Sequence, residues 1–231
     1  MRLDKYLCSC AQLSRINAKR AIGKGQVTVN GETVTNPATK IKTSDAVYHK
    51  DQLMSLITER YIMLHKPVNY ICSNVDEAHP SVLHLVDEPK KETLHVAGRL
   101  DVDTTGLVLI TDNGKWSHNL TSPKKRCAKR YRVGLDKPIE ASAIALFEEG
   151  VQLNNERNLT HPAQLEIVSD HEVLLTIHEG KYHQVKRMFA AIGNKVVELH
   201  RESIGIIELD SDLDAGQWRY LTDDEIASIQ G

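Results

Sequence analysis

Two carboxylates separated by one residue, Asp101 and Asp103, stand in GRLDVDTTGLVLITDNG, residues 98–114. A loop rich in Gly, Asp and Thr runs there into an apolar strand, the setting in which a rigid sheet holds an exposed side chain still. In extended backbone both carboxylates point the same way, whereas in a turn one of them caps the backbone. Paired carboxylates suit a glycosidase pair or a magnesium site equally, and this spacing selects neither. A second segment with chemical means is EGKYHQVKRMF, residues 179–189, where Gly180 follows a strand and residues 183–189 open a helix. Val185, Met188 and Phe189 supply its inward face, which leaves Lys186 and Arg187 for a site or the surface. His183 reads as a hydrogen-bonded structural residue rather than an acid or base. In a third cluster, Lys124, Lys125, Arg126, Lys129, Arg130 and Arg132 fall within nine residues that include Tyr131 and no acid. Such a run is either a solvated face or a phosphate-binding surface.

The whole-chain charge points away from phosphate: 29 Lys and Arg against 31 Asp and Glu leave a net charge of -2 over 231 residues. The distribution reverses that inference. Residues 1–50 hold nine cations and three acids, a net of +6, residues 51–201 net -1, and residues 202–231 hold eight acids and Arg219, a net of -7. No run approaches the ~20 apolar residues of a membrane span. Asp4 and Lys5 interrupt the stretch that a signal peptide would need apolar. Cys8, Cys10, Cys72 and Cys127 form no metal-site or disulfide spacing, so a reduced, cytoplasmic setting is expected.

The elements that would position these groups follow from periodicity. Leu3, Tyr6, Leu7 and Cys10 recur at helical spacing, and Ser14 stands as an N-cap before a second periodic run through Ile16, Ala18, Ala21 and Ile22. Gly23 and Gly25 close that helix. Val27 and Val29 then alternate with polar residues up to Asn30-Gly31, which suits a type I′ hairpin turn. The second helix presents Arg15 and Lys19 at i and i+4, with Arg20 and Lys24 beside them, a repulsive arrangement unless a polyanion lies across it. From Tyr61 the pattern becomes strands at YIMLHKP, YICSN, GLVLIT, YRVGL, AQLEIV, EVLLTI and VVELH. Helices are expected around 116–120, at about 139–149 and at HQVKRMFAAI. Without regular βαβ alternation this predicts an α+β chain. A small helix-hairpin domain with its linker, residues 1–58, precedes a larger domain, residues 59–231, built on a mixed, mostly antiparallel sheet with flanking helices.

RLDKYL, SRINAKRAI, KGQVTVNG and Ser44-Asp45 resemble the ribosomal-S4-like RNA-binding domain. GRLDVDTTGL, CAKRYRV and EGKYHQVKRMFAAIGN, in that order, resemble the RsuA-type ribosomal RNA pseudouridine synthases, a likeness covering nearly the whole chain. By that resemblance Asp101 is the catalytic aspartate, Tyr131 the aromatic that stacks on the target base, Lys186 the basic partner of the aspartate and Arg99 a wedge or phosphate contact. RNA contacts are expected from Arg2, Arg15, Lys19, Arg20 and Lys24 in the head and from Lys124, Lys125, Arg126, Lys129 and Arg130 in the body. The resemblance implies isomerisation of a uridine in 16S ribosomal RNA, in helix 18, with a 23S target or a non-catalytic ribosome-assembly role as alternatives. It also implies a monomer acting on ribosomal RNA or a small-subunit assembly intermediate, with no cofactor, metal or membrane. Such an isomerisation needs an ionised carboxylate beside the ribose, and a neighbouring cation favours that charged form. An S4-linked methyltransferase would need a GxGxxG loop, which the chain lacks. Two positions depart from the family pattern: Asn69 stands where Lys66-Pro67-Val68 would be followed by Gly, and Lys181 stands where Arg is expected.

Overall fold

The computed structural model describes residues 1–10, 13–42, 44–54 and 59–229. The chain divides into two compact units, Met1–Thr58 and Glu59–Gly231.

In the first unit, α1 (Leu3–Cys10) and α2 (Arg15–Gly23) precede β1 (Val27–Val29), β2 (Glu32–Thr33), β3 (Val47–His49) and β4 (Gln52–Met54). The Ser14 hydroxyl accepts from the Asn17 N–H at 3.2 Å, capping α2. Asn30 and Gly31 both take positive φ, 51° and 88°, and turn β1 into β2. The strands form an antiparallel sheet in the order β2-β1-β3-β4, and Leu3, Leu7, Ile22, Val27 and Val47 make the core. Ile16 departs from the periodic reading: it is 71 % exposed. Each helical residue advances about 100°, so position 16 lies opposite the buried Ala18 and Ala21. Residues 46–54, of weak periodicity, form the β3–β4 hairpin, whose turn is carried by Lys50 and Asp51 at φ 50° and 62°. Residues 55–58 of that segment lie outside the described residues.

The second unit contains β5 (Tyr61–Lys66), β6 (His95–Ala97), β7 (Thr105–Thr111), α3 (Gly114–Thr121), β8 (Lys129–Leu135), α4 (Ser142–Glu149), β9 (Gln164–Ser169) and β10 (Glu172–Ile177). It continues with α5 (Gln184–Ala191), β11 (Val196–Ile204), β12 (Ile207–Glu208), β13 (Trp218–Tyr220) and α6 (Asp223–Ala227). The main sheet runs β13-β5-β7-β11-β8-β10-β9, with β6 on β7 and β12 on β11. Among the described residues β7–β11 is its parallel pairing and the other pairings are antiparallel. One face carries Leu64, Val108, Tyr131, Val133 and Leu175 and is covered by Phe147 of α4 and Met188 and Phe189 of α5. The opposite face packs Met63, Leu107 and Leu109 against Trp116 and Leu120 of α3.

Two expectations change here. YICSN is not a strand: Ile71 makes one isolated bridge, to Ser81, and the segment is held instead by Ser81 donating its hydroxyl to Ser73 O at 2.5 Å. The helix expected from about 139 begins at Ser142, after a turn in which the Ala143 N–H donates to Glu140 O at 3.0 Å. Among the described residues no helix is long and apolar enough to cross a membrane.

Candidate active site

Asp101 sits in the turn that leads into β7, closed by the Thr104 N–H donating to Asp101 O at 3.1 Å. Two fully buried cations hold this turn by its backbone. Lys66, at the end of β5, donates from Nζ to Pro67 O (2.9 Å), Val102 O (3.3 Å) and Thr104 O (2.7 Å). Arg201, on β11, donates from Nε to Leu107 O (2.8 Å), from Nη2 to Gly98 O (2.9 Å) and from Nη1 to Arg99 O (3.5 Å). Neither cation pairs with an acid among the described residues; carbonyl dipoles replace the lost water, as a buried charge requires. Burial lowers the Lys66 pKa from its ordinary value. Gly106, at φ +104°, lets β7 approach this closely: a Cβ there would lie 2.3 Å from Arg201 O. Asn69 keeps the turn after Lys66-Pro67-Val68 in left-handed backbone, at φ 67°, and donates its N–H to Val102 O.

From the other side α5 brings Lys186. Its Nζ donates to Asp101 Oδ2 at 3.1 Å and to Asp103 Oδ1 at 2.6 Å. The Asp101 side chain is 28 % exposed and that of Asp103 66 %. Partial burial pushes the Asp103 carboxyl up, but the hydrogen bond and charge of Lys186 outweigh it and hold it below its usual value. Lys186 is raised by the same two aspartates against its own burial. His183, the left-handed residue before α5 (φ 48°), places Nε2 3.4 Å from Asp101 Oδ1 and stacks on the exposed Tyr182 at 3.8 Å between ring centroids. The start of α5 is anchored by Gln184, which donates to the buried Glu179 carboxylate at 2.8 Å and accepts from the Lys181 N–H at 2.9 Å. The result is a partly exposed carboxylate within ion-pair distance of a cation, on backbone clamped from two strands. A carboxylate so placed can act as nucleophile or base. Among the described residues no three or more His, Cys, Asp or Glu side chains could share a metal ion.

The fold brings Asp101, Asp103 and Lys186 together and leaves the Arg99 side chain exposed. Tyr131 is only 6 % exposed on the inner sheet face, so little of its ring is open to a base. The residues expected to contact RNA separate into free and answered charges. Arg15, Lys19, Arg20 and Lys24 on α2 and Lys124, Lys125 and Arg126 after α3 are exposed and make no ion pair among the described residues. Arg2 instead closes both arms of its guanidinium on the buried Asp4, at 3.0 and 2.8 Å. Lys129 is held by Cys127 O at 2.9 Å, and burial lowers its pKa. Arg130 stands 3.6 Å from Glu166 and 3.5 Å from Glu202, while Arg132 bonds Glu202 at 2.7 Å and pairs with Glu172. These three glutamates come from β9, β11 and β10, so the two arginines of the run that lie on β8 are answered across the strands. Arg2, Lys129 and Arg130 are thus less available to phosphate than the sequence implies.

Lys66 and Arg201 were not among the expected site residues, and Asp103 was weighed only as half of a carboxylate pair. Arg201 has a sequence signal, since it alternates with Leu199 on the inward side of a strand, where a cation needs an explanation.

Residues 60–191 match the family model described as RNA pseudouridylate synthase, and residues 1–47 match the S4 domain. The chain belongs to the RNA pseudouridylate synthase family. It is an enzyme of the isomerase class. Related pseudouridine synthases include "Ribosomal small subunit pseudouridine synthase A" of Vibrio cholerae serotype O1, 53 % identical over 99 % of both chains. The protein of the same description from Escherichia coli strain K12 is 53 % identical over 99 % of this chain and 100 % of that one. A crystal structure described as a pseudouridylate synthase superposes with a TM-score of 0.72 at 48 % identity, covering 99 % of each chain. In this pseudouridylate synthase, therefore, the clamped Asp101 turn lies inside the matched segment, as do Tyr131 and Lys186.

Proposed function

We propose that this enzyme converts one uridine of 16S ribosomal RNA, in helix 18, to pseudouridine, acting in the cytoplasm as a monomer on the RNA or on a small-subunit assembly intermediate. The names of its relatives support the small-subunit target. The observation that carries the chemistry is the 3.1 Å contact between Lys186 Nζ and Asp101 at the mouth of a rigidly held turn.

In the reaction the bond from uracil N1 to ribose C1′ breaks, the base turns, and C5 bonds to C1′. C5 loses its proton and N1 gains one, so atoms balance without an outside reactant. Asp101, beside Lys186, attacks the sugar or removes a sugar proton, and the ammonium ion steadies the carboxylate as its charge changes. Lys186 holds Asp103 more closely than Asp101, which leaves Asp101 the less encumbered oxygen donor. A target base must leave its stack to reach this turn, and Tyr131 and the exposed Arg99 are the residues this reading assigns to meet it. The free cations of α2 meet phosphates, a role that uncompensated like charges on one helix favour.

Mapping pseudouridine by carbodiimide labelling in unmodified 16S and 23S transcripts, with wild type and Asp101→Asn, tests this reading. A single new site in 16S, lost in the variant, is expected. A site in 23S alone overturns the target, absence of any site overturns the enzyme's proposed substrate, and full activity of Asp101→Asn overturns the catalyst.

A further inference from the structure

The second unit carries a shallow, open cleft of about 640 Å³ that the reaction as described does not use. It is lined by Arg126, Glu148, His161, Pro162, Gln164 and His178. Its size falls in the range of small-ligand sites. Its lining combines two imidazoles, a guanidinium and a proline ring, all able to lie flat against a base, with one amide and one carboxylate that can read a base edge. His178 has one ring nitrogen settled: Nδ1–H donates to Arg126 O at 3.1 Å, which fixes the ring against the loop that brings Arg126. Arg126 itself takes left-handed backbone (φ 48°) at the end of the exposed Lys124–Lys125 turn, so its side chain leads from a basic approach into the cleft.

The cleft is also tied to the catalytic helix. The His161 N–H donates to Glu179 Oε1 at 2.9 Å, and the same oxygen accepts from Gln184 at the start of α5, two residues before Lys186. His178 and His183 are five residues apart, which places them at most about 18 Å from each other along the chain. His183 itself reaches Asp101, so a strand of a few nucleotides is long enough to span from the Asp101 turn to the cleft.

We infer that the cleft is a second nucleotide subsite, which takes an unpaired nucleotide of the substrate RNA flanking the target. Its base lies among His161, His178 and Pro162, Arg126 meets its phosphate, and Glu148 accepts from an exocyclic amine. The carboxylate favours a cytosine, adenine or guanine over uracil, because uracil has no exocyclic amine. The subsite gives the enzyme a sequence or loop requirement beyond the uridine itself, and it rests on the reading that ribosomal RNA is the substrate.

The test is an abasic scan. Fragments of 16S helix 18, each with one unpaired nucleotide near the target made abasic, are bound to the full-length Asp101→Asn protein, and affinity is read by fluorescence anisotropy. One abasic position is expected to weaken binding roughly 5- to 150-fold, the range of base–aromatic stacking. In the same protein carrying His161→Ala and His178→Ala, that position is expected to lose its effect. Glu148→Gln, on the exposed side of α4, is expected to change the ranking of the four bases there. Equal abasic penalties in the parent and the double-alanine protein at every position overturn the subsite. If the double-alanine protein fails to melt cooperatively, an unchanged base ranking in Glu148→Gln does so. Conversion of the unaltered fragment by wild type is measured alongside. Its absence overturns the proposed function, whereas conversion with equal penalties overturns the cleft alone.

Discussion

Replacing Gly106 by Ala should separate a close-packing requirement from a generic glycine effect. The new Cβ would stand 2.3 Å from Arg201 O, 2.7 Å from Arg201 N and 3.0 Å from Arg201 C, all backbone atoms that no side-chain rotation can move. Non-glycine backbone at such a positive φ costs about 1–3 kcal/mol, and forcing β7 away from β11 adds about 1–3 kcal/mol of overpacking. The sum, about 2–6 kcal/mol, is a large share of the ~5–15 kcal/mol that stabilises a typical domain. For a unit of this size it lowers Tm by roughly 5–20 °C. Trp116 and Trp218 are the chain's two tryptophans and both lie in Glu59–Gly231, so their fluorescence follows this unit. Gly114→Ala is the matched control: nothing lies within 4 Å of its Cβ, and it opens α3, so a change between zero and about 1 kcal/mol of stabilisation is expected. Where the Gly106→Ala protein remains folded, its conversion rate should still fall about 100-fold, because a displaced Arg201 releases the Gly98 and Arg99 carbonyls. A Gly106→Ala protein that melts within 2 °C of wild type would refute the reasoning.

Lys186→Met leaves two carboxylates facing each other without their cation, so the acidic limb of the pH–rate profile should move upward and the neutral rate fall at least about 100-fold. Lys186→Arg should keep the limb in place, and an unmoved limb in the Met variant contradicts the ion-pair role. Asp103, held low, contributes stability above its unfolded pKa and loses it as pH falls through the folded value; Lys186, held high, contributes below its unfolded pKa and loses it as pH rises through the folded value. The pair is therefore intact through the neutral range, and melting curves of Asp103→Asn should converge on wild type only in acid. Tyr220 is pushed up to about 12 by burial and then by its bond to Glu88. Its contribution is complete below the ordinary tyrosine value of 10 and disappears as pH rises toward 12, so the stability gap to Tyr220→Phe should close over that window in alkaline melts. Lys19→Ala with Arg20→Ala should reduce the salt slope of RNA binding by about 1.5, whereas Arg132→Ala, whose charge Glu202 and Glu172 already answer, should leave it unchanged.

What the chain disclosed of itself was mainly local. Ser14 before α2 and Asn30-Gly31 between β1 and β2 are short-range devices, and each does what its residue type requires. The β3–β4 turn escaped because Lys50 and Asp51 carry the left-handed backbone that Asn-Gly usually announces. Ile16 misled because an apolar residue two positions from another fits a loose helical count yet lies on the wrong side. The segments around Asp101 and Lys186 were recognisable one at a time, but their meeting depends on contacts spanning 85 residues. Glu166, Glu172 and Glu202 were invisible as partners of Arg130 and Arg132 for the same reason: strand order, not sequence proximity, makes them neighbours. Lys66 and Arg201 are bound by backbone carbonyls, which every residue possesses, so no partner residue could have marked them.

Arg201 also sets a timetable. Asp101 leaves the site of synthesis a hundred residues before the arginine that fixes its turn, an interval of roughly 5–20 s at about 5–20 residues per second. The elements of the first unit end at Met54 and have a core of their own. A growing chain can thus hold a finished RNA-binding module for many seconds while its aspartate has no fixed place. During translation the first unit can be complete while the Asp101 turn still waits for β11.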